Sequence, residues 1–345
     1  MVKLFFLLSG EHPTLPSSEV EAILKAEGHQ YKILGRNTQV LRLEANPQSV
    51  ESIVRRVAMT RACSIELLNT KAVSSNILRE IRSIPFEKYV RKRGTFVVRL
   101  RRIREAAPDV EVPWLEQELG GVILDAVEGM KVKLTDPDMT FFGVLTDDVF
   151  VFGLRVAEIP AKPFVGRRPR KRPFFHPSAM PAKLARCMVN LAQCKVGDVV
   201  LDPFCGTGSF LVEAGLIGCR VVGFDVQLRM VRGSKRNLRF FSVDSQGLLR
   251  ADARYPPVRQ ADCVVTDPPY GRASTTRGRE IVEIVRDLLS TLEGSVLRGK
   301  RVCLASPKTV NIGKLAGDAG FKLVESHFVY VHRSLTREIA VLERV

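Results

Sequence analysis

The 345-residue chain contains no apolar run near the roughly 18 to 20 residues that cross a bilayer, so nothing in it reads as a membrane span. Its opening Val2-Lys3-Leu4-Phe5-Phe6-Leu7-Leu8 is too short for a secretion signal, carries its Lys inside and lacks a small-x-small cleavage site. It reads as a buried first strand. No two of the seven cysteines form a C-x-x-C pair, and seven is odd. That excludes a paired disulfide framework and zinc-ligand spacing, and leaves reduced core thiols of a cytoplasmic protein with no metal. Acidic residues are scarce, 37 against 53 Lys and Arg, for a formal charge of +16. An imbalance of that size favours a polyanionic partner and says nothing about fold. Hydrophobic content of 45% and charged content of 26% are those of an ordinary globular protein, long enough for two or three domains.

Two stretches have no acid at all. Pro160 to Pro177, PAKPFVGRRPRKRPFFHP, carries Lys162, Arg167, Arg168, Arg170, Lys171 and Arg172 among prolines and phenylalanines. Repeated prolines oppose helix and sheet, so an extended basic linker is expected over 158–177. Lys88 to Arg104, KYVRKRGTFVVRLRRIR, holds eight cations, including Arg91, Lys92, Arg93, Arg99, Arg101 and Arg102. Such a cluster is costly without a neutralising anion. Both stretches are candidate RNA contacts, with Arg168, Arg170, Lys171 and Arg172 in the linker; a solvated charge run is the plain alternative.

Before the linker, short strand-like and helix-like segments alternate. Lys3 to Leu8 and Gln39 to Leu43 read as strands. Ser17 to Glu27, with Ser17 as N-cap, and Pro47 to Ala58 read as helices. They suggest a small α+β unit over 1–57. Further on come a helix at Ser74 to Ile81, a strand at Thr95 to Leu100 and a helix from Trp114 to Ile123 ended by Gly120-Gly121. Strand-like segments follow at Met130 to Leu134, Thr140 to Leu145 and Val149 to Leu154. The sequences GTFVVRLRRIR, WLEQELGGVIL and VKLTDPDMTFFGVLTDDVFVFGL resemble the THUMP domain of tRNA-modifying enzymes. That resemblance implies a ferredoxin-like domain at 1–57 and a THUMP domain at 58–157 that together bind tRNA.

After the linker, strands at Asp198 to Leu201, Arg220 to Phe224, Leu248 to Ala251, Asp262 to Thr266 and Lys300 to Ala305 alternate with helices. Phe321 to His332 and Glu338 to Leu342 form a closing pair. This order predicts a doubly wound, mostly parallel α/β sheet over 178–345. The first strand runs into Asp202-Pro203-Phe204-Cys205-Gly206-Thr207-Gly208-Ser209, a glycine turn that lets a ligand approach the backbone. Leu211 stands where a dinucleotide fold would want its third Gly. Asp225 and Asp252 end the next two strands; each alone is as readily a helix cap. Asp267-Pro268-Pro269-Tyr270-Gly271 follows the strand Cys263 to Thr266. A carboxylate, a rigid carbonyl turn and a flat ring at a strand's carboxyl end suit a planar molecule bearing an NH₂ group, although Pro-Pro also simply stops strands.

DPFCGTGS resembles the first motif of Rossmann-type class I S-adenosylmethionine-dependent methyltransferases, and DPPYG resembles their amino-methylating branch. The fold implied is a seven-stranded sheet with its last strand antiparallel. The implied cofactor residues are Phe175, His176, Met180, Asp202, Phe204, Gly206, Gly208, Asp225, Asp252 and Asp267, with Asp225 on the ribose and Asp252 on the adenine. The implied catalytic residues are Asp267, Pro268 and Tyr270. The tail VHRSLTREIAVLE resembles that of THUMP-bearing tRNA guanosine-N2 methyltransferases, closest to the archaeal guanosine-10 type. A sister family acting on guanosine 6, or a non-catalytic tRNA-binding subunit, shares the architecture. Some relatives use a small zinc-binding activator subunit at the edge formed by strand three. Independently of the resemblance, Arg229, Arg232, Arg236 and Arg239 fall on one face of the helix after Asp225, as an RNA contact or a solvated face.

Overall fold

The computed structural model describes residues 1–90, 93–270 and 280–345; Arg91, Lys92 and Gly271 lie outside them. In chain order the N-terminal elements are β1 (Val2–Leu8), α1 (Leu15–Ala26), β2 (Tyr31–Asn37), β3 (Val40–Ala45), α2 (Ser49–Arg56), β4 (Thr60–Lys71) and α3 (Ser74–Ile81). Next come β5 (Thr95–Arg102), α4 (Val112–Ala126), β6 (Lys131–Val132), β7 (Met139–Thr146) and β8 (Val149–Glu158). The remainder begins α5 (Lys162–Gly166), α6 (Ala182–Leu191), β9 (Val199–Asp202), α7 (Ser209–Gly215), β10 (Arg220–Asp225), α8 (Leu228–Phe240), β11 (Ser245–Arg250) and β12 (Ala261–Thr266). It ends α9 (Ile281–Glu293), β13 (Val296–Pro307), α10 (Ile312–Asp318), β14 (Phe321–His332) and β15 (Leu335–Arg344).

The chain forms two compact units. One comprises Met1–Pro13, His29–Val54 and Thr60–Pro160. All its strands join one sheet, in the order β2-β3-β1-β4-β8-β7-β5-β6. The boundary expected at 57/58 is therefore not a break in the fold. The twelve-residue β4 pairs with β1 along Leu4 to Leu8 and with β8 along Ala62 to Lys71, so one strand serves both halves. Its core centres on Phe141, against which Phe86 and Phe96 pack edge-on at 5.5 and 5.8 Å. Gly120 and Gly121 do not end α4; they lie inside it, with Gly120 buried among Leu115, Leu119 and Ile123. Tertiary packing overrides the weak helix propensity of glycine there.

The other unit comprises Thr14–Gly28, Arg55–Met59 and Ala161–Val345. Its seven strands run β11-β10-β9-β12-β13-β15-β14, with β15 antiparallel to both neighbours. This is the expected class I methyltransferase sheet. The order reverses between β9 and β12, which is where open α/β sheets bind ligands. α1 starts two residues before the expected Ser17 cap, because Pro16 is tolerated in a first helical turn.

The linker is folded, not extended. Prolines begin both α5 and the 3₁₀ turn Pro169–Lys171, where a missing N–H costs nothing. Phe164 is buried, and Arg167 forks onto Glu213 at 2.7 and 3.1 Å. Glu213 is fully buried and also receives Arg186 at 2.9 Å. Arg172 donates to Ser209 Oγ at 2.6 Å and to the Arg167 carbonyl at 3.0 Å.

A second buried network fixes α1. Glu19 accepts from the backbone N–H groups of Ala58 and Met59, at 3.0 and 2.8 Å, and from Asn190 Nδ2 at 2.8 Å. Arg56, 1% exposed, donates to Glu27 and to the Cys194 carbonyl, both at 2.6 Å. Burial raises the Glu19 carboxyl to about 7, although the hydrogen bonds it accepts oppose the shift. Deleting the carboxylate orphans three buried donors. Glu19→Ala should therefore cost about 2–4 kcal/mol of stability, read as a lower denaturant midpoint at unchanged slope.

Candidate active site

β9 and β12 lie side by side, with Cys263 opposite Val200 and Val264 opposite Leu201. Their carboxyl ends deliver Asp202 and Asp267 to the same sheet edge. Thr266 Oγ1 joins the two strands by donating to Asp202 Oδ1 at 2.8 Å, and the Phe204 N–H donates to the same oxygen at 3.2 Å. Asp202 is 1% exposed and its Oδ2 has no partner. Burial, with smaller repulsion from Asp225 and Asp267, raises its carboxyl to about 8. Burial thus favours the neutral form of Asp202.

From Asp202 the chain turns through Gly206 and Gly208, at φ +48° and +77°, into α7. A Cβ on Gly208 would stand 2.4 Å from Ser234 Oγ, so only glycine fits. At Gly206 the nearest atom to such a Cβ is Phe204 O at 3.8 Å, and the space above this turn is open. Asp225 closes the same edge from β10: Oδ2 accepts from the Gly206 N–H at 3.2 Å and Oδ1 from the Gln227 N–H at 2.9 Å. Burial raises its carboxyl, which those bonds and His176 partly offset.

The segment at 175–180 reaches both ends of this edge. His176 lies close enough to Asp225 to interact with its charge, and its Nδ1 bonds Ser178 Oγ at 2.7 Å. Met180 is buried and contacts Arg337 through its sulfur. Phe175 is 41% exposed. Asp252 is already engaged: Arg254 forks onto it at 3.1 and 2.8 Å, and its carboxylate also accepts the Arg254 backbone N–H. It closes its own turn.

Pro268 is buried, and Tyr270 and Asp267 are half-buried beside it. Asp267 Oδ1 has no partner, while Oδ2 lies 3.4 Å from Arg337 Nη2. Burial raises the Asp267 carboxyl, and Arg337 and Tyr270 pull it back. Arg337 Nε also donates to Tyr270 OH, and its guanidinium stands 5.7 Å from the ring centroid. Arg337 stands in the tail VHRSLTREIAVLE, where the sequence alone assigns it no role. Nothing local in SLTRE marks an arginine that folds onto a motif 67 residues earlier.

The RNA candidates divide by exposure. Arg93, Arg101, Arg168, Arg170 and Lys171 are exposed. Arg99 and Arg102 are half-buried and donate to the carbonyls of Leu134 and Val110. Arg172 corrects the expectation: it is 5% exposed and consumed inside the protein, so it is not an RNA contact. On α8, Arg229, Arg232, Arg236 and Arg239 are all exposed, joined by Lys235.

The description of RMKL-like methyltransferase domains matches residues 169–339, and that of the THUMP domain matches residues 73–155. Across the whole length of both chains the protein is 37% identical to a tRNA (guanine(10)-N2)-dimethyltransferase of Methanothermobacter thermautotrophicus. It is 30% identical to the protein of that name from Methanocaldococcus jannaschii, over 99% of each chain. The crystal structure of TrmN from Thermus thermophilus shares the fold at a TM-score of 0.55 and 20% identity, covering 99% of this chain and all of that one.

Asp202 also sets a pH dependence. With its carboxyl at about 8 in the folded chain, against 3.8 ordinarily, the folded protein holds a proton that the unfolded chain has released. Stability should fall as pH rises through that window, by up to several kcal/mol in order of magnitude. Asp202→Asn keeps the acceptor for Thr266 and removes this loss. Its melting temperature should change less between pH 6 and pH 9 than that of the unsubstituted protein.

Proposed function

We infer the activity from two facts: the chain belongs to the tRNA (guanine(10)-N2)-dimethyltransferase family, and its sheet edge holds a buried carboxylate oxygen, Asp267 Oδ1, with no partner. The protein is an S-adenosylmethionine-dependent enzyme that methylates the exocyclic N2 of guanosine 10 in tRNA. The residues fit the cofactor: an open glycine turn at Gly206, an unpartnered Asp202 Oδ2, and Asp225 at the end of the second strand. Asp202, Phe204, Gly206, Gly208, Asp225 and Asp252 would hold it, with Phe175, His176 and Met180 covering its methionine end. When bound, it supplies an electrophilic methyl group.

The chain's own residues supply the rest. The N2 lone pair is delocalised into the purine and is a poor nucleophile. Asp267 Oδ1 and the Pro268 carbonyl accept its two N–H groups and aim the lone pair out of the conjugated system. Tyr270 stacks on the guanine, which must leave its helix to reach the site. Alignment then does most of the catalytic work. The Asp267 carboxylate stabilises positive charge developing on the nitrogen, and the proton leaves to it or to solvent. Asp267→Ala should abolish methyl transfer while tRNA still binds, with mass analysis of tRNA digests as the readout. Turnover retained in that variant, or a methyl group on a guanosine other than 10, would overturn the reading.

tRNA is held by cations on both units. We assign Arg93 and Arg101 of the THUMP-bearing unit, with Arg61 beside Arg101, where like charges already depress the Arg101 guanidinium after burial. On the catalytic unit Phe174 fastens the basic linker to α8. Its ring occupies the place where a Cβ on Gly233 would stand, at 2.0 Å, and Asn237 bonds its backbone N–H and carbonyl at 2.9 Å each. Phe174 thereby ties the segment that carries Arg168, Arg170 and Lys171 to the helix that carries the α8 cations. Replacing Arg229, Arg232, Arg236 and Arg239 by Gln should lower the slope of log K against log salt by about one per lost phosphate contact. An unchanged slope would make this a solvated face.

β11 is an edge strand, bonded on one side by β10, with Leu249 41% exposed. An open, partly apolar edge suits a covering strand, and a small zinc-binding activator is proposed to dock there. Seven buried, unpaired cysteines and a tRNA substrate suit the cytoplasm.

A further inference from the structure

Arg337 is the residue of this site for which the reaction just described has no use, and its surroundings are specific. It is the third residue of β15, with Pro307 of β13 opposite on one side and Val329 of β14 on the other, so its backbone lies between two strands. Its side chain is 13% exposed. One planar guanidinium there serves three residues from separate segments: Nε donates to Tyr270 OH, Nη2 lies 3.4 Å from Asp267 Oδ2, and Nη1 lies 3.7 Å from Met180 Sδ.

We propose that Arg337 is a positioning residue for methyl transfer: it fixes the Tyr270 ring as a stacking surface and places a positive charge against Asp267 Oδ2, which holds Oδ1 turned toward the incoming amine. The inference rests on the reading that Asp267 accepts the guanosine amino group. Among the described residues, three groups face the Asp267 carboxyl: Asp202 from β9, Tyr270 from its own turn and Arg337 from β15. Asp202 is itself an acid, tied to Thr266, and can supply no counter-charge. Burial works against a charged Asp267, and Arg337 is the cation that works for it. A point-charge lysine could restore the sign of that interaction but not the three-way fork. By engaging Oδ2 alone, Arg337 leaves Oδ1 free. A carboxylate held by both oxygens would be less available to a substrate N–H.

The test compares Arg337→Gln, Arg337→Lys and Asp267→Asn on unmodified tRNA at saturating S-adenosylmethionine. Melting temperature and S-adenosylhomocysteine binding by calorimetry are recorded for each variant. Arg337→Gln should lower kcat by about 10²-fold, with the tRNA KM changed far less, the signature of an interaction used in the transition state. The acid limb of its kcat/KM profile should move to higher pH, because Asp267 without its counter-charge protonates more readily. Arg337→Lys should keep the limb where it is and recover about tenfold of the rate, charge without geometry. S-adenosylhomocysteine should still bind both Arg337 variants. An unmoved acid limb in Arg337→Gln, or equal losses in the Gln and Lys variants together with lowered melting temperatures, overturns the proposal in favour of simple stitching of β15. Turnover retained in Asp267→Asn overturns the underlying reading itself. An inactive Asp267→Asn beside a fully active Arg337→Gln removes Arg337 alone.

Discussion

The parallel pairing of β9 with β12 brings together two loops, DPFCGTG and DPPY, that are 65 residues apart in the chain. The Thr266 hydroxyl on Asp202 closes that pairing at its last residue, where the strands would otherwise splay into the site. The adjacency has an electrostatic cost. It collects Asp202, Asp225 and Asp267 at one edge, and each is raised chiefly by burial. The three are relieved differently. Asp202 accepts from Thr266 and the Phe204 N–H, Asp225 is held by two backbone N–H groups, and Asp267 is faced by Arg337. Neighbouring carboxyls given different surroundings are a recurrent way of assigning different tasks to the same side chain. Here the division leaves Asp267 as the carboxylate equipped to receive a cationic nitrogen.

Sequence segments and structural units do not coincide, and buried polar contacts are the reason. α1 and Arg55–Met59 are N-terminal in sequence but belong to the unit that carries the methyltransferase sheet. Glu19 holds two backbone donors and Asn190, while Arg56 spans Glu27 and the Cys194 carbonyl. Each of these groups would be costly to bury alone, and the network is tolerable because nearly every member is matched. A composition-based boundary at the Pro-rich stretch finds where the chain changes character. It does not find which helices pack with which sheet.

The catalytic half was legible because its strands are short, apolar and punctuated by Gly, Pro and Asp. All seven were found within a few residues of their observed ends, as were the DPFCGTG and DPPY turns. β4 and β2 were missed for physical reasons. β4 carries an extra residue at Arg61 against β1 and another at Leu67 against β8, and each shifts which side chains face inward, destroying the alternation that would reveal it. β2 is an edge strand with a bulge at Ile33 to Gly35 and no fully buried residue, so it has no apolar signature. Arg337 was invisible for another reason. Its role exists only once β15 is laid beside β13, and a local pattern cannot encode that neighbour.

The net charge of +16 also needs dividing before it is read as affinity for RNA. Arg56, Arg167, Arg172, Arg186 and Arg337 are buried or nearly so, and their charge is spent on Glu27, Glu213, Asp267, Ser209 and backbone carbonyls. The linker shows the division within six residues: Arg167 and Arg172 turn inward to lock it, while Arg168, Arg170 and Lys171 remain outside. Arginine suits the inward positions because its planar fork satisfies several acceptors at once and stays charged when desolvated. The inward pair anchors the segment that carries the outward three, so a basic run that reads as an extended linker is a folded strip of positive charge. A phosphate backbone meeting such a strip loses less entropy than one that must order a disordered arm, because the protein side has already been fixed by folding.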